Sequence, residues 1–471
     1  MNKEIATLNL EQPDGLPMPQ RVWAILSTIL AIGMSCLDVN IVNVALPSLA
    51  KEFSMSPTNT IWIVNAYQLA IVVSLLAFSS LGDIYGFRKV YLSGIFVFTL
   101  SSLFCALSSS FWILVIARMC QGLGASALTS VNQGQLRTIY PRKHLGRGMG
   151  INAMAVSVSA VAGPSIASAI LSVATWQWLF VVNIPLGIIA LVFGYKYLPR
   201  KEYRIKEKFD KLGALANALT FGLLIYSLDG FAHHENTRYI ALQLIALVFV
   251  ALYYWHRERQ REAPLLPVDL LRIPILSMSV FTSICSFAAQ MLGMVSLPFF
   301  FQNSMHLSIV ETGLLLTPWP LATLVAAPLA GYLVERVHPG LLGCVGMISF
   351  AVGMYMMTLL PQNPSDIDIV WRLMLCGIGF GLFQTPNNNV IVTSSPVNRG
   401  GGASGMIGTA RLLGQTLGTT FVAFIFSLVA SHTEASIYCL YLGTSFALLA
   451  AFVSPLRLGM HWSKKDKKRA K

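Results

Sequence analysis

Blocks of about twenty apolar residues, parted by short polar turns, recur from Trp23 nearly to the end of this 471-residue chain. A bilayer's hydrocarbon core takes about 20 helical residues to cross, and only structures that satisfy their own backbone hydrogen bonds survive there. The blocks predict fourteen membrane-spanning helices, near 23–46, 59–80, 88–107, 111–134, 146–171, 178–198, 212–230, 238–256, 276–300, 311–334, 341–360, 369–393, 403–429 and 437–457. Short turns make successive helices antiparallel neighbours. The seventh and eighth blocks have the most polar flanks. A twelve-span chain would lack both, yet each reaches spanning length.

Charge follows the same plan. Only 11% of the residues are charged, against 55% hydrophobic, and the mean hydropathy is +0.64. Soluble proteins carry about 25% charged residues. The net charge of +13 would suit nucleic acid only with a basic stripe interleaved with aromatics on a soluble face; none is present. Of the 33 Lys and Arg, only Lys51 and Arg238 fall on one side of the predicted spans, and Arg118, Arg372 and Arg411 fall within them. The remainder gather on the other side, which the positive-inside rule makes cytosolic, with both termini there. The polar N-terminus has no cleavable signal pattern, and the basic tail KKDKKR suits a headgroup anchor.

The seven cysteines lie in separate spans without a CxxC, and no histidine is central to a span, so neither disulfide nor metal site is expected. No Walker A, HExxH or GxSxG motif occurs, and no pair of acids lies inside a span. No catalytic residue is therefore assigned.

Among twenty acidic residues, Asp38 alone lies deep within an apolar span. A carboxylate there costs several kcal/mol unless it faces a cavity or partner, which makes it a functional candidate. Eight residues separate it from Leu46, placing it about 12 Å deep. Arg118 lies seven residues from Phe111, about 10 Å deep. Opposite charges at nearly one depth predict a contact or water bridge. A weak internal repeat accompanies them. SSLGDIYGFRK after the second span has a counterpart in LAGYLVERVHPG after the tenth, so Asp83 corresponds to Glu335. RMCQGLGAS in the fourth resembles RLMLCGIGFG in the twelfth. Two six-helix halves around a midplane site are the layout of many secondary transporters.

Several motifs in order resemble the major facilitator superfamily, and within it the 14-helix drug:proton antiporter family. LDVNIVNVALP (Leu37 to Pro47) matches the family's first-span motif, with Asn40 where Thr is usual. LGDIYGFRK (Leu81 to Lys89) matches the turn between spans two and three, departing at Ser79 and Ile84. LVIARMCQGLGAS (Leu114 to Ser126) matches the fourth span. SAVAGPSIAS (Ser159 to Ser168) is similar to the antiporter motif, keeping Gly163 and Pro164 but replacing other glycines. WQWLFVVNIPLG (Trp176 to Gly187), GIGFGLFQTPNNN (Gly377 to Asn389) and GGASGMIGTARLLGQTLG (Gly401 to Gly418) resemble the 14-helix branch.

The resemblance implies an all-α integral membrane protein: an N-terminal tail (1–22), a six-helix bundle (23–198), a linker with two extra spans (199–275), a second bundle (276–457) and a basic tail (458–471). It implies proton-coupled alternating access exporting small amphipathic or cationic compounds, with the gradient as energy source and no cofactor. Asp38 and Arg118 would couple protons to substrate. Asp83, Gly86, Arg88 and Lys89 would latch the cytosolic gate, with Arg137 as a partner for Asp83. Gly163 and Pro164 would form the antiporter-type kink. Asn43, Gln121, Gln384, Asn387, Asn388 and Arg411 are cavity candidates, Arg411 lying about 12 Å from the cytosolic end. Trp62, Tyr67, Met291, Phe299 and Trp319 would line an adaptable pocket or pack the core. Membrane lipid, protons and a small molecule are the expected partners of a monomer in the inner membrane. Transport of an endogenous metabolite in either direction, and a non-transporting sensor or scaffold, are the alternatives.

Overall fold

The computed structural model describes residues 15–457, except 142–143, 201–208, 233–236, 260–269, 335, 362–363 and 396–399. Residues 1–14 of the expected N-terminal tail, the basic tail, most of the linker's first segment and Glu335 lie outside the described residues, and the first helix begins at Met18, inside the expected tail. Fourteen long helices follow in order: α1 (Met18–Glu52), α2 (Pro57–Tyr85), α3 (Phe87–Ala106), α4 (Phe111–Ile139), α5 (Leu145–Val173), α6 (Trp178–Tyr197), α7 (Lys211–Ala232), α8 (Thr237–Arg259), α9 (Pro274–Ser304), α10 (Ile309–Leu333), α11 (Pro339–Thr358), α12 (Asp366–Ser394), α13 (Gly400–Leu428) and α14 (His432–Leu456). Twelve are long and apolar enough to cross a membrane. The other two are α7, whose apolar described part is short, and α12, which carries Asp366, Asp368, Arg372 and three asparagines. No strand occurs among the described residues.

Each half repeats one packing scheme. In the first, α1 packs on α5 and α6, α4 on α2 and α3, and α3 on α6. In the second, α9 packs on α13 and α14, α12 on α10 and α11, and α11 on α14. Glycines set the register. A Cβ on Gly122 would lie 2.4 Å from the Tyr67 carbonyl of α2, and one on Gly124 would lie 2.5 Å from the Phe98 nitrogen of α3. In the second half the Gly377 Cβ would lie 2.1 Å from the Trp319 carbonyl and the Gly379 Cβ 2.4 Å from the Phe350 nitrogen. Only a hydrogen lets backbones approach this closely. This register aligns Arg118 with Leu373, not with Arg372, so the interior arginine is not part of the repeat.

The bundles meet through α1 with α9, α2 with α13, and α5 with α10. The inserted pair packs on itself, and α7 also lies against both α2 and α13, spanning the seam. Asn217 of α7 donates to the Val73 carbonyl of α2 at 3.1 Å.

Hydrogen bonds across the seam cluster away from the basic turn that holds Arg88 and Lys89. Gln302 donates to the Val44 carbonyl at 3.2 Å from a π-helical end of α9, Ser168 to the Ile309 carbonyl at 2.9 Å, and the Ser165 and Thr317 hydroxyls meet at 2.8 Å. Nearer the midplane, Thr419 donates to Gln68 at 3.4 Å. Toward the basic end α2 changes from buried, through Val72, to half-buried over Ala77 to Leu81. Hydrogen bonds between the bundles thus close the seam at the far end.

A buried ion pair as the candidate functional site

Asp38 sits mid-helix on α1 and Arg118 on α4, and they form a salt bridge with side chains 1% and 0% exposed. The matched depths predicted this contact, and here it is direct. Gln121, one turn from Arg118, donates to Asp38 Oδ1 at 2.9 Å and accepts from Arg118 Nη1 at 2.6 Å. Asn183 of α6 donates to the same Oδ1 at 2.8 Å. Arg118 Nε donates to the Ile63 carbonyl at 3.2 Å, and its guanidinium carbon lies 4.2 Å from the Tyr67 ring centre. Every neighbour of the acid is a donor, the arrangement that suits a carboxylate. Two lone ions would be prohibitive here, but a paired and hydrogen-bonded set is tolerated.

Asn183 was not singled out in the sequence, because WQWLFVVNIPLG was read for its interfacial tryptophans. The available signal was one polar amide in the otherwise apolar run LFVVNIP.

The other expected site residues divide by location. Gly86 makes the tight turn between α2 and α3 at φ +100°, a backbone geometry that favours glycine. Arg88 beside it donates to the Tyr195 carbonyl at 2.7 Å. Asp83 and Lys89 lie on the same turn, and no bond joins Arg137 to Asp83 among the described residues. Gly163 packs where its Cβ would lie 2.5 Å from that of Asn40, so α5 lies against the α1 motif. Pro164 presents its carbonyl toward Gly313 of α10, which places this proline on the seam between bundles. Asn43 is buried, with its Oδ1 unbonded among the described residues. Gln384 and Asn388 are half-buried, as is Arg411. Of the aromatic and Met set, Tyr67, Met291, Phe299 and Trp319 are buried in the core, and Trp62 is half-buried.

Asn387 belongs to a second polar knot. Its Oδ1 accepts from Arg457 Nη1 at 2.7 Å, while its amide donates to Ser283 at 2.7 Å and to the Ser279 carbonyl at 3.0 Å. Arg457 also donates to Ser279 at 3.0 Å and Thr282 at 2.9 Å. The sequence placed Arg457 with the topology-setting charges, at the very end of the last span. The structure buries it to 2% exposure, where it ties α9, α12 and α14 together at the basic end. Burial pushes its guanidinium down to about 10. No group of three or more metal-ligating side chains occurs among the described residues.

Two pseudo-symmetric helix bundles, a seam closed at one end and a charge pair at membrane depth define a multi-pass membrane transporter. The Major Facilitator Superfamily model matches residues 28–419, and the chain belongs to that family. It is 55% identical to the uncharacterized transporter YebQ of Escherichia coli (strain K12), over 95% of this chain and 98% of that one. It is 29% identical to the riboflavin transporter RibZ of Clostridioides difficile, over 88% of this chain and 90% of that protein. To the multidrug resistance protein Stp of Mycobacterium tuberculosis it is 30% identical, over 88% and 79%. Among solved structures, a POT family transporter in complex with a thioalcohol-conjugated peptide superposes with a TM-score of 0.71 at 13% identity, covering 93% of this chain and 96% of that one. A bacterial homolog of the human lysosomal transporter Spinster gives 0.67 at 15%, over 95% and 100%. The fold is thus a carrier's, and the protein's work is transport, not catalysis.

Proposed function

We propose that this protein is a proton-coupled exporter of small amphipathic compounds, working by alternating access in the inner membrane with both termini in the cytosol. The observation that carries the proposal is the Asp38–Arg118 pair, the sole acid deep in the described spans, lying beneath a closed far end. With the basic end cytosolic by the positive-inside rule, the state described here admits substrate from the cytosol. Opening the far end would separate α5 from α10 and α2 from α13, and would let a proton from outside reach Asp38. Protonation removes the charge that holds Arg118, Gln121 and Asn183, so it loosens α1 from α4 and α6. Substrate release and proton uptake are thereby coupled through one carboxylate. The protein works as a monomer, with the gradient as its energy source and no cofactor.

A relative named as a multidrug resistance protein supports the export reading, and one named as a riboflavin transporter supports a metabolite as the alternative cargo. Everted membrane vesicles decide direction. With an imposed pH gradient, amphipathic dye should accumulate inside vesicles that carry the protein. Failure to accumulate, or accumulation only in right-side-out vesicles, would overturn export.

A further inference from the structure

The charges of the membrane interior do not cancel. Asp38 and Arg118 neutralise each other inside the first bundle, and Arg372 at the far end of α12 is paired with Asp368 at 3.3 Å. Arg411 on α13 is different. It lies nearly three turns inside the helix, half-buried, and makes no hydrogen bond or ion pair among the described residues. It does not point at lipid. Gly408, one turn before it on the same side of the helix, would set a Cβ 3.5 Å from Leu75 of α2 in the opposite bundle. Its neighbour Leu412 is buried in one cluster with Met34, Tyr67, Ile71 and Leu75. The guanidinium therefore faces the seam between bundles, at the level where Tyr67 covers Arg118.

A cation within a membrane span that lacks an acceptor is costly, and such groups mark ion or substrate pathways. The residues packed around this stretch of α13, Met34, Tyr67, Ile71 and Leu75, carry no negative charge at neutral pH. We propose that Arg411 is the anchor for an anionic group on the substrate, and that the transported class is amphipathic compounds bearing one carboxylate or similar oxyanion, not cations. This rests on the cleft being a transport path, as proposed above, and reverses the charge expected from the family resemblance. A guanidinium offers such a group a bidentate, charge-assisted pair, while the Met34, Ile71 and Leu75 side accepts an apolar body. A cationic compound would meet an uncompensated like charge there.

The test uses two xanthene dyes of similar size, fluorescein with a free carboxylate and rhodamine 6G with a fixed positive charge. Binding to the purified full-length protein in nanodiscs, read by fluorescence polarisation without any gradient, should favour fluorescein. Arg411→Gln should weaken fluorescein binding at least about tenfold and Arg411→Lys much less, with rhodamine 6G unchanged or improved. If the wild-type protein binds rhodamine 6G better, or Arg411→Gln leaves fluorescein affinity unchanged, the proposal is overturned. The wild-type preference alone decides if Arg411→Gln fails to fold. Gradient-driven uptake of both dyes into everted vesicles is measured separately. Uptake of rhodamine 6G but not fluorescein sinks the charge assignment and leaves export standing, whereas gradient-free fluorescein binding with no uptake of either dye sinks export and leaves the charge assignment standing.

Discussion

Gln121 donates to Asp38 at 2.9 Å through its amide nitrogen and accepts from Arg118 at 2.6 Å through its oxygen, so one neutral side chain clamps both ends of a buried ion pair. The clamp is anchored in turn. The same amide nitrogen reaches Ser102 of α3 at 2.8 Å, and Asn183 brings α6 onto the acid. Four helices of the first bundle, α1, α4, α6 and, through Ser102, α3, converge on one carboxylate. A change in its charge therefore acts on the bundle as a whole.

Asp38→Asn should abolish gradient-driven transport while the protein still reaches the membrane. The amide keeps the shape but removes the negative charge, leaving Arg118 buried and uncompensated, which costs about 3–5 kcal/mol when one partner of a buried pair is lost. The thermal unfolding midpoint should fall, and dye uptake into everted vesicles should drop to background. Uptake at the wild-type level would remove Asp38 from the coupling step.

Asn183→Leu tests the amide that the sequence did not announce. It keeps bulk in the apolar run and deletes a donor to Asp38, and should cost about 1–3 kcal/mol in unfolding free energy. Transport should slow severalfold without vanishing, because Arg118 and Gln121 still hold the acid. A variant as stable and as active as the wild type would show that the 2.8 Å contact contributes nothing.

What could be read beforehand follows from what leaves a trace in linear order. Span lengths did, because hydrocarbon thickness sets them, and so did the depths of Asp38 and Arg118, since helix rise converts sequence distance to depth. Packing partners across helices left weaker traces. Arg457 follows Leu456 and reads as a tail charge, yet the end of α14 tucks beneath α9 and α12, whose Ser279, Thr282 and Asn387 receive it. The repeat was visible in its motifs, but lining up arginines set it one residue off. Gly122 with Gly124 and Gly377 with Gly379 carry the true register, because backbone contact tolerates no slip.

Acidification should weaken the second bundle through His338, which caps α11 by accepting the Gly340 amide at 3.0 Å. Burial, and secondarily the charge of Arg457, hold its imidazole below the ordinary value. For a base depressed in the folded state, the stability is fully present above the unfolded value of about 6.5 and is lost as pH falls through the folded one. Protonation also destroys the acceptor at Nδ1. The unfolding midpoint should therefore drop between pH 7.5 and pH 5.5, and His338→Asn, which can still cap, should flatten that slope. An identical slope in the variant would exclude His338 as its source. Arg457 adds no slope of its own there, because its value of about 10 keeps it charged throughout.

Closure of the far end depends on Gly313, and its replacement should trap the carrier with that end open. A Cβ at this position of α10 would lie 1.6 Å from Ser168 Oγ and 2.5 Å from the Pro164 carbonyl of α5. The hydroxyl can rotate aside, but the carbonyl is backbone at a proline and cannot, so α5 and α10 must separate. The Ser168–Ile309 and Ser165–Thr317 bonds would be lost with them. Gly313→Val should reduce gradient-driven uptake at least about tenfold while leaving the protein folded. A cysteine introduced at Thr317 should then react faster with a membrane-impermeant thiol reagent applied from the far side, relative to Thr317→Cys alone. Gly222→Val is the matched control, because a Cβ there meets nothing within 4 Å. If Gly313→Val transports normally and leaves Thr317→Cys as protected as before, the α5–α10 contact is not the closure that alternates.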